Sequence, residues 1–384
     1  MKVGFYRGIT ALDAGGIAPY ADRVISVLRE YTFQGIDLKI LPLASNRLLR
    51  KITSHLHDSF YLLTHPYYPH RRRPFRASTT LLGADFRGDL IHFPYQVPGR
   101  VRFRCPFIVT MHDIQELHFP EFFNPQERLR RADYYFGAIE QSARIVVSFE
   151  HVKEDLVRYF RIPEDKVAVI PVPYNACRFK ELDRNSNQDI ENRLRALCPY
   201  FLYPAQTWEH KNHLALIEAF ERFCGESEQE IHLVCTGTQN EYFERVLKRR
   251  VDQSLQRRRI HFLGVVSEEE LGWLYRHAAG VVLPTLYEAG SFPLIEAMQM
   301  GTPVICANTT SLPETIGDEA FVFDPRSRDS LIQKMRALLL DESYIARNRM
   351  NSKVRIEALQ RVAIGPYYEE LWHTTIARER SKND

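Results

Sequence analysis

Short, continuously apolar runs rich in β-branched residues alternate along this chain with longer stretches in which apolar positions recur every three or four residues. The first half carries the runs Val3–Tyr6, Leu38–Leu43, Leu90–Phe93, Phe107–Met111, Arg144–Phe149 and Val167–Val172. The second half carries Tyr200–Tyr203, Ile231–Thr236, Ile260–Leu263, Val281–Pro284, Val304–Ala307 and Phe321–Asp324. Continuous rather than alternating hydrophobicity marks strands buried on both faces. Alternation of such strands with helices predicts parallel sheets joined by right-handed crossovers. Between the two series lies "PYNACRFKELDRNSNQDIENRLRALC", which is polar and punctuated by Asn-Ser-Asn. The pattern therefore predicts an α/β chain of two doubly wound, Rossmann-like domains facing a central cleft. The first domain spans 1–172, a linker 173–197 and the second domain 198–356. The segment 357–384 contains an amphipathic helix opened by Gly365-Pro366, placed to pack back on the first domain.

Composition agrees with two globular domains. The 384 residues exceed one ordinary core, and 45% hydrophobic with 26% charged residues is a water-facing globular balance. No apolar run reaches the roughly 18 residues of a membrane span, and "MKVGFYRGIT" lacks the parts of a signal peptide. The six cysteines show no ligand spacing and read as free thiols in a reducing compartment, so a cytoplasmic location is expected. A net charge of +3 excludes a general polyanion binder, and no nucleic-acid partner is expected. The charge is uneven: residues 1–172 carry about six more bases than acids, many of them within Arg47–Arg76. There, Leu48, Leu49, Ile52 and Leu56 recur at helical spacing among bases. That stretch is either a peripheral contact with an anionic membrane surface or a solvated helix packed by one face.

The densest chemistry lies in "EAGSFPLIEAMQMG", Glu288 to Gly301. Val281–Pro284 ends a strand and Pro293 opens a helix, so Glu288 to Phe292 occupy a loop at a strand's C-terminal edge, where open α/β sheets bind ligands. Gly290, Ser291 and Phe292 sit where unpaired amides and the helix dipole favour phosphate. Glu296, about one turn into the helix, has a carboxylate suited to vicinal hydroxyls. An acid on each side of a phosphate cradle would grip a sugar at one end and a nucleoside at the other.

This stretch resembles the E-x7-E signature of retaining B-type glycosyltransferases, above all glycosyltransferase family 4. The resemblance implies that Glu288 faces the donor sugar and Glu296 holds the nucleotide ribose. Where the family has glycines directly after the first Glu and again two residues on, this chain reads Ala289, Gly290, Ser291. In "YPAQTWEHKNH" the family's diphosphate-binding Lys falls on Lys211, and the place of its Arg holds Gln206. Gln donates hydrogen bonds but carries no charge. A cation at a helix start is unfavourable unless an anion joins it, which supports a ligand at Lys211. His210 and His213 read as structural or as supports behind the residues that touch the ligand.

By the same resemblance, Gly264, Val265 and Val266 hold the base through backbone atoms. His112, ending the strand of "FIVTMHD", stands near the donor sugar, and Gly15 and Gly16 border acceptor and phosphate. The implied reaction is retaining transfer of a hexose from a nucleotide diphosphate sugar, with GDP-mannose slightly favoured, to a glycan or lipid-linked acceptor in surface polysaccharide assembly. No cofactor and no metal is expected, since no D-x-D or His cluster demands one. Two other readings stay open: an epimerase or hydrolase of nucleotide sugars, and a non-catalytic nucleotide-sugar-binding subunit.

Overall fold

The structure, a computed structural model, describes residues 1–7, 17–41, 75–76, 86–96, 101–102, 105–174, 179 and 188–382. The chain divides into two compact units, one made of Met1–Tyr174 with Val362–Asp384 and the other of Asn175–Arg361.

The first unit is built on a six-stranded parallel sheet. Its strands are β1 (Lys2–Tyr6), β2 (Asp37–Leu41), β4 (Leu90–Phe93), β6 (Phe107–Thr110), β7 (Arg144–Val147) and β8 (Val167–Val169), in the order β2-β1-β4-β6-β7-β8. Two short strands, β3 (Phe75–Arg76) and β5 (Val101–Arg102), pair apart from it. Every residue of β4 and β6 is buried, as the unbroken apolar runs require of strands covered on both faces. The predicted runs extend past the regular ladder by a few residues. Met111 N–H and Ile170 N–H still bond across to Val146 and Val147 carbonyls at 2.8 Å, so the ladder fades rather than stops.

The helix Gly365–Ser381 completes this unit from far along the chain. Ile364, Tyr368, Leu371, Trp372 and Ile376 all join the first core. Gly365 has no alternative there, because a Cβ would collide with the Tyr31 ring. The Trp372 indole donates to His92 Nδ1 at 3.2 Å, and His92 Nε2 lies 3.1 Å from Thr110 Oγ1. An indole N–H can only donate. His92 therefore accepts through Nδ1 and carries its proton on Nε2, which donates to the threonine. Burial holds this imidazole neutral, its pKa lowered to about 3. At the rim, Arg378 pairs with Asp165 at 2.9 Å and Arg380 with Asp89 at 2.8 Å.

The second unit repeats the plan with β9 (Tyr200–Pro204), β10 (His232–Thr236), β11 (Ile260–Phe262), β12 (Gly280–Leu283), β13 (Val304–Ala307) and β14 (Val322–Phe323). Their order is β11-β10-β9-β12-β13-β14, all parallel. The chain runs outward from β9 through β10 to β11 and then returns to the other side of β9 at β12. That reversal parts the loops above β9 and β12 and opens a crevice at their C-terminal ends.

Candidate functional site

The two loops beside the reversal are tied to each other before any side chain reaches a ligand. After β9 the chain makes a short turn, Glu209–Lys211, then passes through Asn212 in the left-handed region (φ 61°) into helix His213–Glu226. Leu286 N–H and Thr285 Oγ1 both donate to the His210 carbonyl, at 2.7 and 3.1 Å. The Asn212 amide donates to the Pro284 carbonyl at 3.0 Å, and Tyr203 Oη to the Lys211 carbonyl at 2.7 Å. His213 is buried and His210 half-buried, and both are neutral, each with a pKa lowered to about 3, with desolvation as the main cause and the Lys211 charge second. On this footing Lys211 Nζ lies 2.6 Å from Glu288 Oε2. The pair is 17% and 16% exposed, so each charge is largely, not wholly, withdrawn from water.

The helix that follows, Phe292–Met300, has Ser291 as its N-cap, with Ser291 Oγ accepting from Leu294 N–H at 3.3 Å. The cap uses the oxygen of the serine, while its hydroxyl hydrogen is not spent on that bond. Pro293 contributes no donor, and Gly301 closes the helix at φ 70°. Glu296 is buried within the first turns, and the Tyr275 hydroxyl donates to its Oε2 at 2.9 Å. Tyr275 aims this carboxylate, and sequence reasoning missed it, because the two residues belong to different helices.

Gln206 is held by a neighbour two residues on: Trp208 Nε1 donates to Gln206 Oε1 at 2.6 Å. Because an indole only donates, the amide must turn its oxygen to Trp208, which leaves both Nε2 hydrogens directed elsewhere. The place of the family's arginine is thus taken by an oriented two-hydrogen donor without charge. Thr207 is buried and bonds to the next loop, donating to Asn240 Oδ1 at 2.9 Å and accepting from Asn240 N–H at 3.0 Å. That loop contains Gly237 at φ 119°, where a Cβ would stand 2.7 Å from the Ala205 carbonyl. Its N–H donates to the Gly264 carbonyl at 2.8 Å. Of the backbone atoms expected to read the base, the Gly264 carbonyl therefore already serves the protein, and Val265 stands 77% exposed beside it. The Thr-Gly-Thr at a strand end was the available signal for this loop.

In the first unit His112 follows β6 and bonds through Nε2 to the Pro94 carbonyl at 3.0 Å. A carbonyl only accepts, so the proton sits on Nε2 and Nδ1 keeps its lone pair. Tyr20 meets the imidazole edge-on, with ring centroids 4.7 Å apart. Burial lowers its pKa, against the opposing effects of the Pro94 carbonyl and Asp113, which favours the neutral imidazole over the cation. Gly15, Gly16, Asn175 and most of the basic stretch, 47–74, lie outside the described residues. The structure thus brings Lys211, Glu288 and the helix mouth together, and sets His112 in the other unit.

The family described as glycosyl transferases group 1 matches residues 187–356, and glycosyltransferase family 4 matches residues 14–176. Over 265 residues the chain is 28% identical to O-antigen chain mannosyltransferase B of Escherichia coli, covering 68% of each. It is 30% identical over 231 residues to the serotype-specific mannosyltransferase WbdA of Escherichia coli, spanning 59% of this chain and 27% of that longer one. Among solved structures, WaaG, a glycosyltransferase involved in lipopolysaccharide biosynthesis, superposes with a TM-score of 0.64 at 14% identity over 96% of this chain and 99% of WaaG. Anabaena HepE, solved with UDP-glucose, gives 0.63 at 16% over 97% and 100%. At these identities the structural likeness speaks for the fold alone. With both units matched, the chain belongs to the group 1, family 4 glycosyltransferases and has their B-type fold of two Rossmann-like units.

Proposed function

We propose that this chain is a retaining hexosyltransferase that takes its sugar from a nucleotide diphosphate donor, GDP-mannose before others. The single observation that carries the reading is the Lys211–Glu288 pair beside the capped mouth of helix Phe292–Met300. A diphosphate at that mouth would meet the ammonium of Lys211, the oriented amide of Gln206 and the amides at Gly290–Phe292. These groups stabilise leaving-group charge by electrostatic preorganisation, and in this reading no metal is required. Glu288 then turns from its lysine partner to the hydroxyls of the donor sugar, and Glu296, braced by Tyr275, takes the ribose. His112 offers Nδ1 to a sugar hydroxyl, and the first unit takes the acceptor.

Five of the relatives bear mannosyltransferase names tied to O-antigen or serotype, which supports mannose and a surface or lipid-linked glycan acceptor. A cytoplasmic site of action fits such an acceptor, and among the described residues no helix is long and apolar enough to cross a membrane. The test is a thermal-shift panel of nucleotide sugars, since a ligand of the native state raises the melting temperature. Proton NMR of the anomeric configuration in the transferred product follows. GDP-mannose should shift melting more than UDP-glucose or UDP-N-acetylglucosamine, and the product should keep the donor's α-configuration. Equal, negligible shifts from GDP and UDP sugars, or an inverted product, would sink the reading.

A further inference from the structure

Three described non-glycine residues have positive φ. Arg161 and Asn212 rest in the ordinary left-handed basin, but Thr310 sits at φ 48°, ψ −118°. That region belongs to glycine, and a β-branched residue there is strained. Strain of this kind persists only where the surroundings hold it, so the question is what the conformation serves.

The Thr310 side chain gives the answer. Its hydroxyl accepts from Glu288 N–H at 3.0 Å and donates to the Glu288 carbonyl at 2.6 Å. One side chain thereby satisfies both main-chain groups of a residue 22 positions away. Ser311 Oγ adds a second bond to the same carbonyl at 2.9 Å, and Thr309 Oγ1 donates to the Thr285 carbonyl at 3.1 Å. The loop after β13 thus grips the loop after β12 from Thr285 to Glu288. φ and ψ set the direction of Cβ, and an ordinary backbone at 310 would aim the hydroxyl away from Glu288.

We propose that Thr310 is a positioning residue for Glu288: its strained backbone fixes the main chain of the acid and so the place of the carboxylate opposite Lys211. The inference rests on the donor-site reading above and adds a residue to it. Thr310→Ser keeps the hydroxyl, Thr310→Val keeps the β-branch without it, and Thr310→Gly relieves the backbone without it. Transfer from the best nucleotide sugar should stay within about threefold in Thr310→Ser. In Val and Gly, kcat should fall at least about tenfold while donor KM moves less than about threefold. Amide hydrogen exchange at Glu288 should quicken about tenfold or more in Val and Gly, and not in Ser. Unchanged exchange in Thr310→Val overturns the inference whatever the enzyme acts on, as does full activity in both Val and Gly. If the wild type turns over no nucleotide sugar, the donor-site reading fails, and exchange alone then decides the role of Thr310.

Discussion

Lys211 and Glu288 come from loops 77 residues apart and meet at 2.6 Å. Each shields the other's charge in a place largely withdrawn from water. In the proposed reading a diphosphate arriving there would exchange one anionic partner of the lysine for another, so the site would be held ready without a bare buried charge. Glu288→Gln keeps a hydrogen-bond acceptor for the lysine and should cost about 1 kcal/mol of stability. Lys211→Ala leaves the acid unmatched and should cost about 1–2 kcal/mol. Both should lower transfer about 100-fold or more while remaining folded by circular dichroism. Unfolding of either variant would mean that the pair is architectural.

Trp208 orients Gln206, so the indole should matter to nucleotide affinity although it carries no charge. Trp208→Ala frees the amide to flip and should weaken binding of the nucleotide diphosphate about three- to tenfold, roughly one neutral hydrogen bond. Gln206→Arg should tighten it by a similar factor through the added charge. Calorimetry with the nucleotide diphosphate alone reads both. Indifference of binding to Trp208→Ala would remove Gln206 from the cradle.

Tyr275 and Glu296 invite the same treatment at the other end of the donor. Tyr275→Phe removes the donor at 2.9 Å and nothing of the ring's packing. If Glu296 takes the ribose, affinity for nucleoside diphosphates should drop about three- to tenfold with little change in kcat. A loss confined to kcat would place Glu296 elsewhere.

Acid should weaken the fold through its histidines. Burial lowers the pKa of His92, His210 and His213 to about 3 and that of His151 to about 4, against 6.5 for the ordinary side chain. The unfolded chain therefore binds more protons between these limits. The stability contributed by the neutral rings is present above about pH 6.5 and is lost as the pH falls towards about 4 for His151 and about 3 for the other three. Each histidine steepens the loss by up to about 1.4 kcal/mol per pH unit. Urea midpoints should be level from pH 8 to 7 and fall clearly by pH 5. A flat profile from pH 7 to 5 would contradict the burial of these rings.

The positions of the strands were readable because a parallel strand covered on both faces must be apolar throughout, as in "LIHF" and "FIVT". The loops that bear Lys211 and Glu288 were readable for a related reason: strand ends and helix starts carry Pro, Gly and Ser. Partnerships across loops were not. Glu288 with Thr310, Glu296 with Tyr275, and His92 with Trp372 each join segments that only the tertiary fold brings together. Gln206 with Trp208 is local, yet two residues of spacing in a loop imply no contact. The tautomers of His92 and His112 follow from what stands opposite each nitrogen, and no periodicity encodes that.

Trp372→Ala should cost about 3–5 kcal/mol, since it empties a large core position and strips His92 Nδ1 of its donor. The loss should appear in the unit formed by Met1–Tyr174 with Val362–Asp384 and spare the other. Hydrogen exchange resolved by segment would separate the two.

The return of Tyr368 and Trp372 to the first core also sets a timetable for biogenesis. As the polypeptide leaves the ribosome, residues 175–361 emerge as one uninterrupted stretch and have every contact of their own unit at hand. The amino-terminal sheet, although made earlier, must wait with an apolar face uncovered until the helix beyond residue 361 is translated. The half of the molecule born first is thus the last able to finish folding, and in that interval it is the half with most need of a chaperone.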